Sequence, residues 1–175
     1  MYKDLLDVIL SNGDPEFFCF VADREVADPV KRFGDTWTAY QKMAEQLIIA
    51  VTRPPELLTV LADNYSTPDT VLFEEDLTAN VNRRLHRLAL TNVVRLDSKS
   101  SDALQAADLL VSSVAFEFRA AAGLASPMSP KAAVSAHARS LLGCQESLLT
   151  GWRSSRHSVQ VYGHETLEVA ALKVE

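Results

Sequence analysis

LLTVLAD (Leu57–Asp63) and TNVVRLD (Thr91–Asp97) are two short apolar runs, each closed by an aspartate. The first is continuously apolar, the pattern of a strand covered on both faces, and strands of that kind point to a parallel sheet flanked by helices. The second is short and rich in β-branched residues, which favours a strand again. Between them, Thr67-Pro68-Asp69 opens a segment whose helical part is expected from about Phe73 to Leu88, with Leu77, Val81, Leu85 and Leu88 in register. After Asp97, Ser98–Ser101 reads as a loop and cap. Leu104, Ala107, Val111, Val114, Ala115 and Phe118 then mark a helical stripe up to the break at Gly123. The stretch Leu57–Arg119 is therefore strand, helix, strand, helix, an α/β arrangement with acids at or near the element ends.

Working outward, Tyr2, Leu5, Leu6, Ile9 and Leu10 stand at helical spacing before the stop signal Ser11-Asn12-Gly13. Phe17–Val21 reads as a buried strand, followed by a loop containing Pro29 and Gly34. Asp35 or Thr36 is placed to cap a helix whose stripe is Trp37, Tyr40, Ala44, Leu47, Ile48 and Val51, ended by Pro54 and Pro55. Downstream of the turn-rich ASPMSP (residues 125–130), Pro130 is suited to start a helix through about Leu142. Val159, Val161, Leu167, Val169 and Ala171 carry a weaker alternation expected to supply edge strands.

The chain has 175 residues, a length that suits one domain. Its net charge of -6 argues against a protein that grips nucleic acid through a global positive field, because phosphate binding draws on Lys and Arg. Any such contact has to be local, and Arg83, Arg84, His86 and Arg87 form the one basic group that suggests it. The competing reading of that group is favourable placement of cations in the last turns of a helix. Apolar runs are far shorter than the roughly 18 residues of a membrane span. MYKDLLDVILSNG lacks the features of a secretory signal, and the two cysteines, Cys19 and Cys144, have no metal-binding spacing. Cytoplasmic residence is the expectation.

Ligands of open α/β sheets bind at the carboxyl edge of the strands, where Asp63 and Asp97 are expected. Neighbouring strands would bring the two ends about 5 Å apart, and one intervening strand about 10 Å; either spacing allows the carboxylates to converge on one metal cluster. Carboxylate oxygen suits Mg²⁺ or Mn²⁺, and a two-metal site would activate water for phosphodiester cleavage. The competing reading is ordinary turn and cap chemistry, with Asp97 accepting hydrogen bonds from the Ser98–Ser101 loop. Asp108, set among Ala106, Ala107, Leu109 and Leu110, has no capping role and is costly to bury unpaired, so it is the acid of most interest.

RLDSKSSDALQAADLLVSSVAFEFR (Arg95–Arg119) resembles the C-terminal signature of the domain of unknown function 3800 family: Asp-Ser, a short loop, then Leu-Gln-x-Ala-Asp. VLADNYSTP (Val60–Pro68) is similar to that family's second acid-bearing strand, and the helix with NRRL (Asn82–Leu85) also fits. The likeness runs from about Phe17 to Tyr162, and its specific part is Leu104-Gln105-Ala106-Ala107-Asp108 with Asp97 upstream.

The resemblance implies a ribonuclease H-like α/β fold, a mixed sheet flanked by helices. It also implies a divalent-metal site of Mg²⁺ or Mn²⁺ and nuclease activity on DNA or RNA of the kind associated with phage or mobile elements. Asp63 would stand for the acid after the inner strand and Asp108 for the helix-borne acid, with Asp97 assisting and Gln105 orienting a bound water or backbone. In this reading residues 1–175 form a single ribonuclease H-like domain, with a core at about 15–122 and a helix and edge-strand extension at about 128–175. The family's first strand, ending in Asp-Glu-Ser-Gly, has no counterpart here, so the domain is expected to be N-terminally shortened. Asp23 is the nearest substitute for the missing acid, although a strand end of this kind is ordinarily just solvated. Loss of a strand would expose sheet edges, which offers a route to a homodimer. The alternative function is a non-catalytic ribonuclease H-like module acting through a protein partner or oligomerisation.

Overall fold

The computed structural model describes residues 1–11, 13, 15–64, 67–68 and 71–163. In chain order they form α1 (Tyr2–Ser11), β1 (Phe17–Val21), α2 (Pro29–Phe33), α3 (Thr36–Val51), β2 (Leu58–Asp63), α4 (Phe73–Leu85), β3 (Leu90–Leu96), a 3-10 turn (Ser98–Ser100), α5 (Asp102–Ala121), α6 (Pro130–Leu142), β4 (Trp152–Arg153) and β5 (His157–Val161). The protein is α/β, and the strand, helix, strand, helix order over β2–α5 is as the sequence predicts.

Local chemistry accounts for most boundaries. Asp35 caps α3 by accepting from the backbone N–H groups of Trp37 and Thr38. Ser101 caps α5 by accepting from Leu104 N–H, and Ser129 caps α6, which carries Pro130 in its first turn and ends at Gly143 in the left-handed conformation. α4 stops at Leu85, short of the predicted Leu88, because His86 turns left-handed with φ 51°. α2 was not expected. Asp28 caps it by accepting from Val30 N–H, Pro29 pre-sets its first turn, and Gly34 at φ 94° ends it.

Contacts divide the described chain into two compact units. The first comprises Met1–Val21 and Ser101–Val161. Its sheet has the order β1-β5-β4, with β1 and β5 parallel and β4 antiparallel to β5, so it is mixed. Its core joins Leu6 and Leu10 of α1, Phe17 and Cys19 of β1, Leu110 and Val114 of α5, Ala138 and Leu142 of α6, and Val159 of β5. The 128–161 segment is thus integral to this core. β5 is the middle strand of its sheet, not an edge strand, since alternation reveals burial on one face and says nothing of how many neighbours a strand has. Leu167, Val169 and Ala171 lie outside the described residues.

The second unit holds Ala22–Ser100, with Tyr162 following β5. Here β2 and β3 pair in parallel around the crossover helix α4, and Phe73, Leu77 and Val81 of α4 pack with Ile48 of α3 and with Leu90 and Val93 of β3. β2 corrects one expectation. Its residues alternate half-buried and exposed, so the continuous apolar run is covered on one face only. Leu58, Val60 and Ala62 face the helical core, while Thr59, Leu61 and Asp63 face out, and Thr59 Oγ1 meets Thr91 Oγ1 at 3.0 Å across the strands.

Candidate functional site: the acidic strand edge

The β2–β3 register places Asp63 opposite Leu96, so that Asp97 follows directly at the same carboxyl edge. The two strands are immediate neighbours, the closer of the two arrangements considered from sequence. Asn64 N–H continues the ladder to Leu96 O at 2.9 Å, which fixes the chain just beyond Asp63. Asp63 Oδ1 accepts from Ser98 N–H at 3.3 Å. Asp97 Oδ1 accepts from Lys99 N–H at 2.9 Å, and its carbonyl accepts from Ser100 N–H at 2.9 Å and from Ser100 Oγ at 2.7 Å. Both side chains are exposed. Each carboxylate thus organises the Ser98–Ser100 turn with one oxygen, as the cap reading anticipates, and keeps a second oxygen that has no hydrogen-bond partner among the described residues.

Asp108 belongs to the other unit. It is exposed on α5 and makes no hydrogen bond or ion pair among the described residues. Its environment is therefore not the buried one that made it conspicuous in the sequence: the neighbouring Ala107 is exposed as well, and the buried stripe of α5 begins at Leu110. Gln105 is exposed on the same helix. Within each unit, no three His, Cys, Asp or Glu side chains among the described residues converge as a metal-binding group. Asp23 accepts from Glu25 N–H at 2.9 Å, the solvated turn expected of it.

The basic group is occupied within the chain. Arg83 donates to Asn80 Oδ1 at 2.7 Å, and Arg84 stands 3.7 Å from the carboxylate of Glu45. Arg87 donates to the carbonyls of Glu56 at 2.8 Å, Leu88 at 3.2 Å and Arg53 at 3.3 Å, tying the end of α4 to the turn before β2. Helix-terminal placement and internal anchoring account for these side chains. Arg95 of β3 pairs with Glu74, donates to Thr67 Oγ1 at 3.1 Å and lies over the Phe73 ring.

Two polar centres escaped the sequence reading. Glu45 is 1% exposed, yet its carboxylate accepts from Lys42 Nζ at 3.1 Å and from Asn80 Nδ2 at 2.8 Å, with Arg84 beside it. The signal for it in the sequence is a charged residue one turn before Ile48 of the apolar stripe. Asn82 Oδ1 accepts from Ala89 N–H and Leu90 N–H, and its Nδ2 donates to Leu90 O, closing the turn from α4 into β3. Nothing in the sequence around NRRL marks it out. The cysteines offer no chemistry of their own: burial pushes the Cys19 thiol up to about 11, and Cys144 is buried.

Compared with protein-family models, with curated proteins and with solved structures, the chain matches none at a significant level. No helix among the described residues is long and apolar enough to cross a membrane.

Proposed function

We propose that the chain is a ribonuclease H-like module whose β2–β3 edge is the acidic half of a divalent-metal-dependent nuclease site. One observation carries this reading. Parallel pairing sets Asp63 and Asp97 side by side at the carboxyl edge of adjacent strands, both exposed and each with a carboxylate oxygen not taken up by the turn beneath it. The donor set is carboxylate oxygen, which fits Mg²⁺ or Mn²⁺. Bound there, such a cation would supply a water of lowered pKa and stabilise charge on the phosphodiester. The chain's own part is positional: Ser98 N–H and Lys99 N–H hold one oxygen of each acid and leave the other without a hydrogen-bond partner among the described residues. The motif resemblance assigns Asp108 to the same acid set, and its exposure and freedom from structural duty are compatible with that assignment.

Purified protein should cleave single- or double-stranded DNA or RNA when Mn²⁺ or Mg²⁺ is added, and Asp63→Asn or Asp108→Asn should reduce the rate by 100-fold or more, on the order of the effect of removing a group that holds a catalytic charge. Absence of cleavage under every metal condition, or equal rates in the variants, ends the proposal. The second reading, a non-catalytic module acting through a protein partner or a second copy of itself, draws on a specific observation: Arg83, Arg84 and Arg87 serve internal contacts, so the basic group supplies no dedicated phosphate grip. A monomer by size exclusion with light scattering, together with metal-stimulated cleavage, would remove it.

A further inference from the structure

A cavity of about 640 Å³ opens in the first unit between α1, α5, α6 and the connector that joins α5 to α6. That volume lies in the range of small-molecule sites, roughly 300–1,000 Å³. Its apolar wall is Tyr2 of α1, Leu109 and Phe116 of α5, and Val134 of α6. Leu109, Ser112, Ser113, Ala115, Phe116 and Arg119 of α5 reach it, and Leu109, Ser112, Phe116 and Arg119 among them recur at helical spacing. Ser112, Ser113, Ser126 and Ser129 also line it, and among the described residues the only charged side chains lining the cavity are Arg119 and Lys131.

The chain as a whole carries 23 acidic and 17 basic residues. Several of its cations are neutralised or anchored elsewhere: Lys42 and Arg84 at Glu45, Arg95 at Glu74, Arg139 at Glu117, Arg87 on backbone carbonyls. The side chains of Arg119 and Lys131 make no hydrogen bond or ion pair among the described residues, and no carboxylate lines the cavity with them. The N-terminus of α6, at Lys131, adds the positive end of a helix dipole on the same side.

We infer that this cavity binds a small amphipathic anion, a carboxylate or phosphate head on an apolar body, with the head held by Arg119 and Lys131 and the body laid against Leu109, Phe116 and Val134. The inference is independent of the acidic strand edge, which lies in the other unit. An apolar wall without a cation would select no charge, and two cations without the wall would hold inorganic phosphate only weakly in water. The combination selects both parts of the ligand together.

Titration calorimetry on the full chain tests it with four probes: decanoate, phenyl phosphate, decanol and inorganic phosphate. Saturable one-site binding of decanoate or phenyl phosphate is expected, and whichever binds identifies the head. Decanol and inorganic phosphate, each lacking one half of the chemistry, should bind at least about ten-fold more weakly. Arg119→Gln and Lys131→Gln, both at exposed positions that leave the core intact, should each weaken the anion about ten-fold, as expected for loss of one charge-assisted contact. Equal affinity for decanol, unchanged affinity in both variants, or no binding of either amphipathic anion overturns the inference.

Discussion

The two units are closed by polar contacts of very different reach. In the second, Asn82 secures the α4–β3 turn by bonding to residues 7 and 8 positions away, and Glu45 reaches Asn80 across 35 positions. In the first, Phe17 N–H donates to His157 Nδ1 across 140 positions, Arg156 donates to the Pro15 carbonyl across 141, and His137 meets Asp7 across 130. Local closure costs little loop entropy, whereas the β1–β5 pairing forms only when the two ends of the described chain meet. The second unit is thus a βαβ piece with its instructions close together, and the first depends on a few long-range anchors, so losing a single anchor should act differently in the two.

Asn82 is where the local unit should be most sensitive. Replacing it with Ala removes the acceptor of two backbone N–H groups at Ala89 and Leu90, both 0% exposed, and the donor to Leu90 O. Each buried group left unpaired costs about 1–3 kcal/mol, so Asn82→Ala should destabilise by about 3 kcal/mol. Denaturant titration gives the size, and hydrogen exchange gives the place. Protection lost in β2 and β3 and kept in β1 and β5 upholds the contrast between the units, while equal loss in both sheets breaks it.

The same difference in reach explains what could be read in advance. β2, α4, β3 and α5 were legible because periodicity and caps act over a few residues: the Ser98–Ser101 loop, the Asp35 cap and the Pro130 start all report on their immediate surroundings. That Asp63 and Asp97 share an edge followed from strand–helix–strand order. The middle position of β5 did not, because partner choice between Phe17–Val21 and His157–Val161 has no local signature. β4 is only two residues long and carries no periodicity at all. Asp108 was misjudged for a related reason. Its apolar sequence neighbours suggested burial, yet on a helix Ala106, Ala107, Leu109 and Leu110 point in different directions, and only Leu110 among them is buried.

His157 tests the long-range anchor by pH. Its Nδ1 accepts from Phe17 N–H at 3.0 Å, so the ring is neutral with its proton on Nε2, and protonation of Nδ1 would cost this bond between β1 and β5. Burial first, and then the nearby Arg156 charge, hold its pKa below the ordinary 6.5, opposed in part by Glu16. A base whose folded pKa is depressed leaves the unfolded chain binding more protons at low pH. Its stabilising contribution is therefore complete above 6.5 and is lost as pH falls through the folded value. Denaturant midpoints measured between pH 8 and pH 5 should decline on the acid side. His157→Ala should flatten that part of the profile and lower stability at pH 8 by about 1–3 kcal/mol, the cost of leaving Phe17 N–H unpaired. A midpoint unchanged at pH 8 would mean that β1 is held by its other contacts alone.

The smallest effect on stability is expected at Asp108, which makes it the sharpest probe of function. It lies beyond the first turn of α5, where a favourable interaction with the helix dipole has largely faded. The residues three and four positions away, Leu104, Gln105, Val111 and Ser112, include no cation to pair with it. Asp108→Asn should therefore shift stability by no more than about 0.5 kcal/mol in either direction. Asp63 differs, since its carboxylate anchors the Ser98 turn, and any loss of activity in its variants has to be separated from loosening of that turn. A thermal midpoint unchanged in Asp108→Asn, combined with lost metal-dependent cleavage, would assign this acid to chemistry. A midpoint lowered by more than about 1 kcal/mol equivalent would instead reveal a structural contact that the exposed helix face does not display.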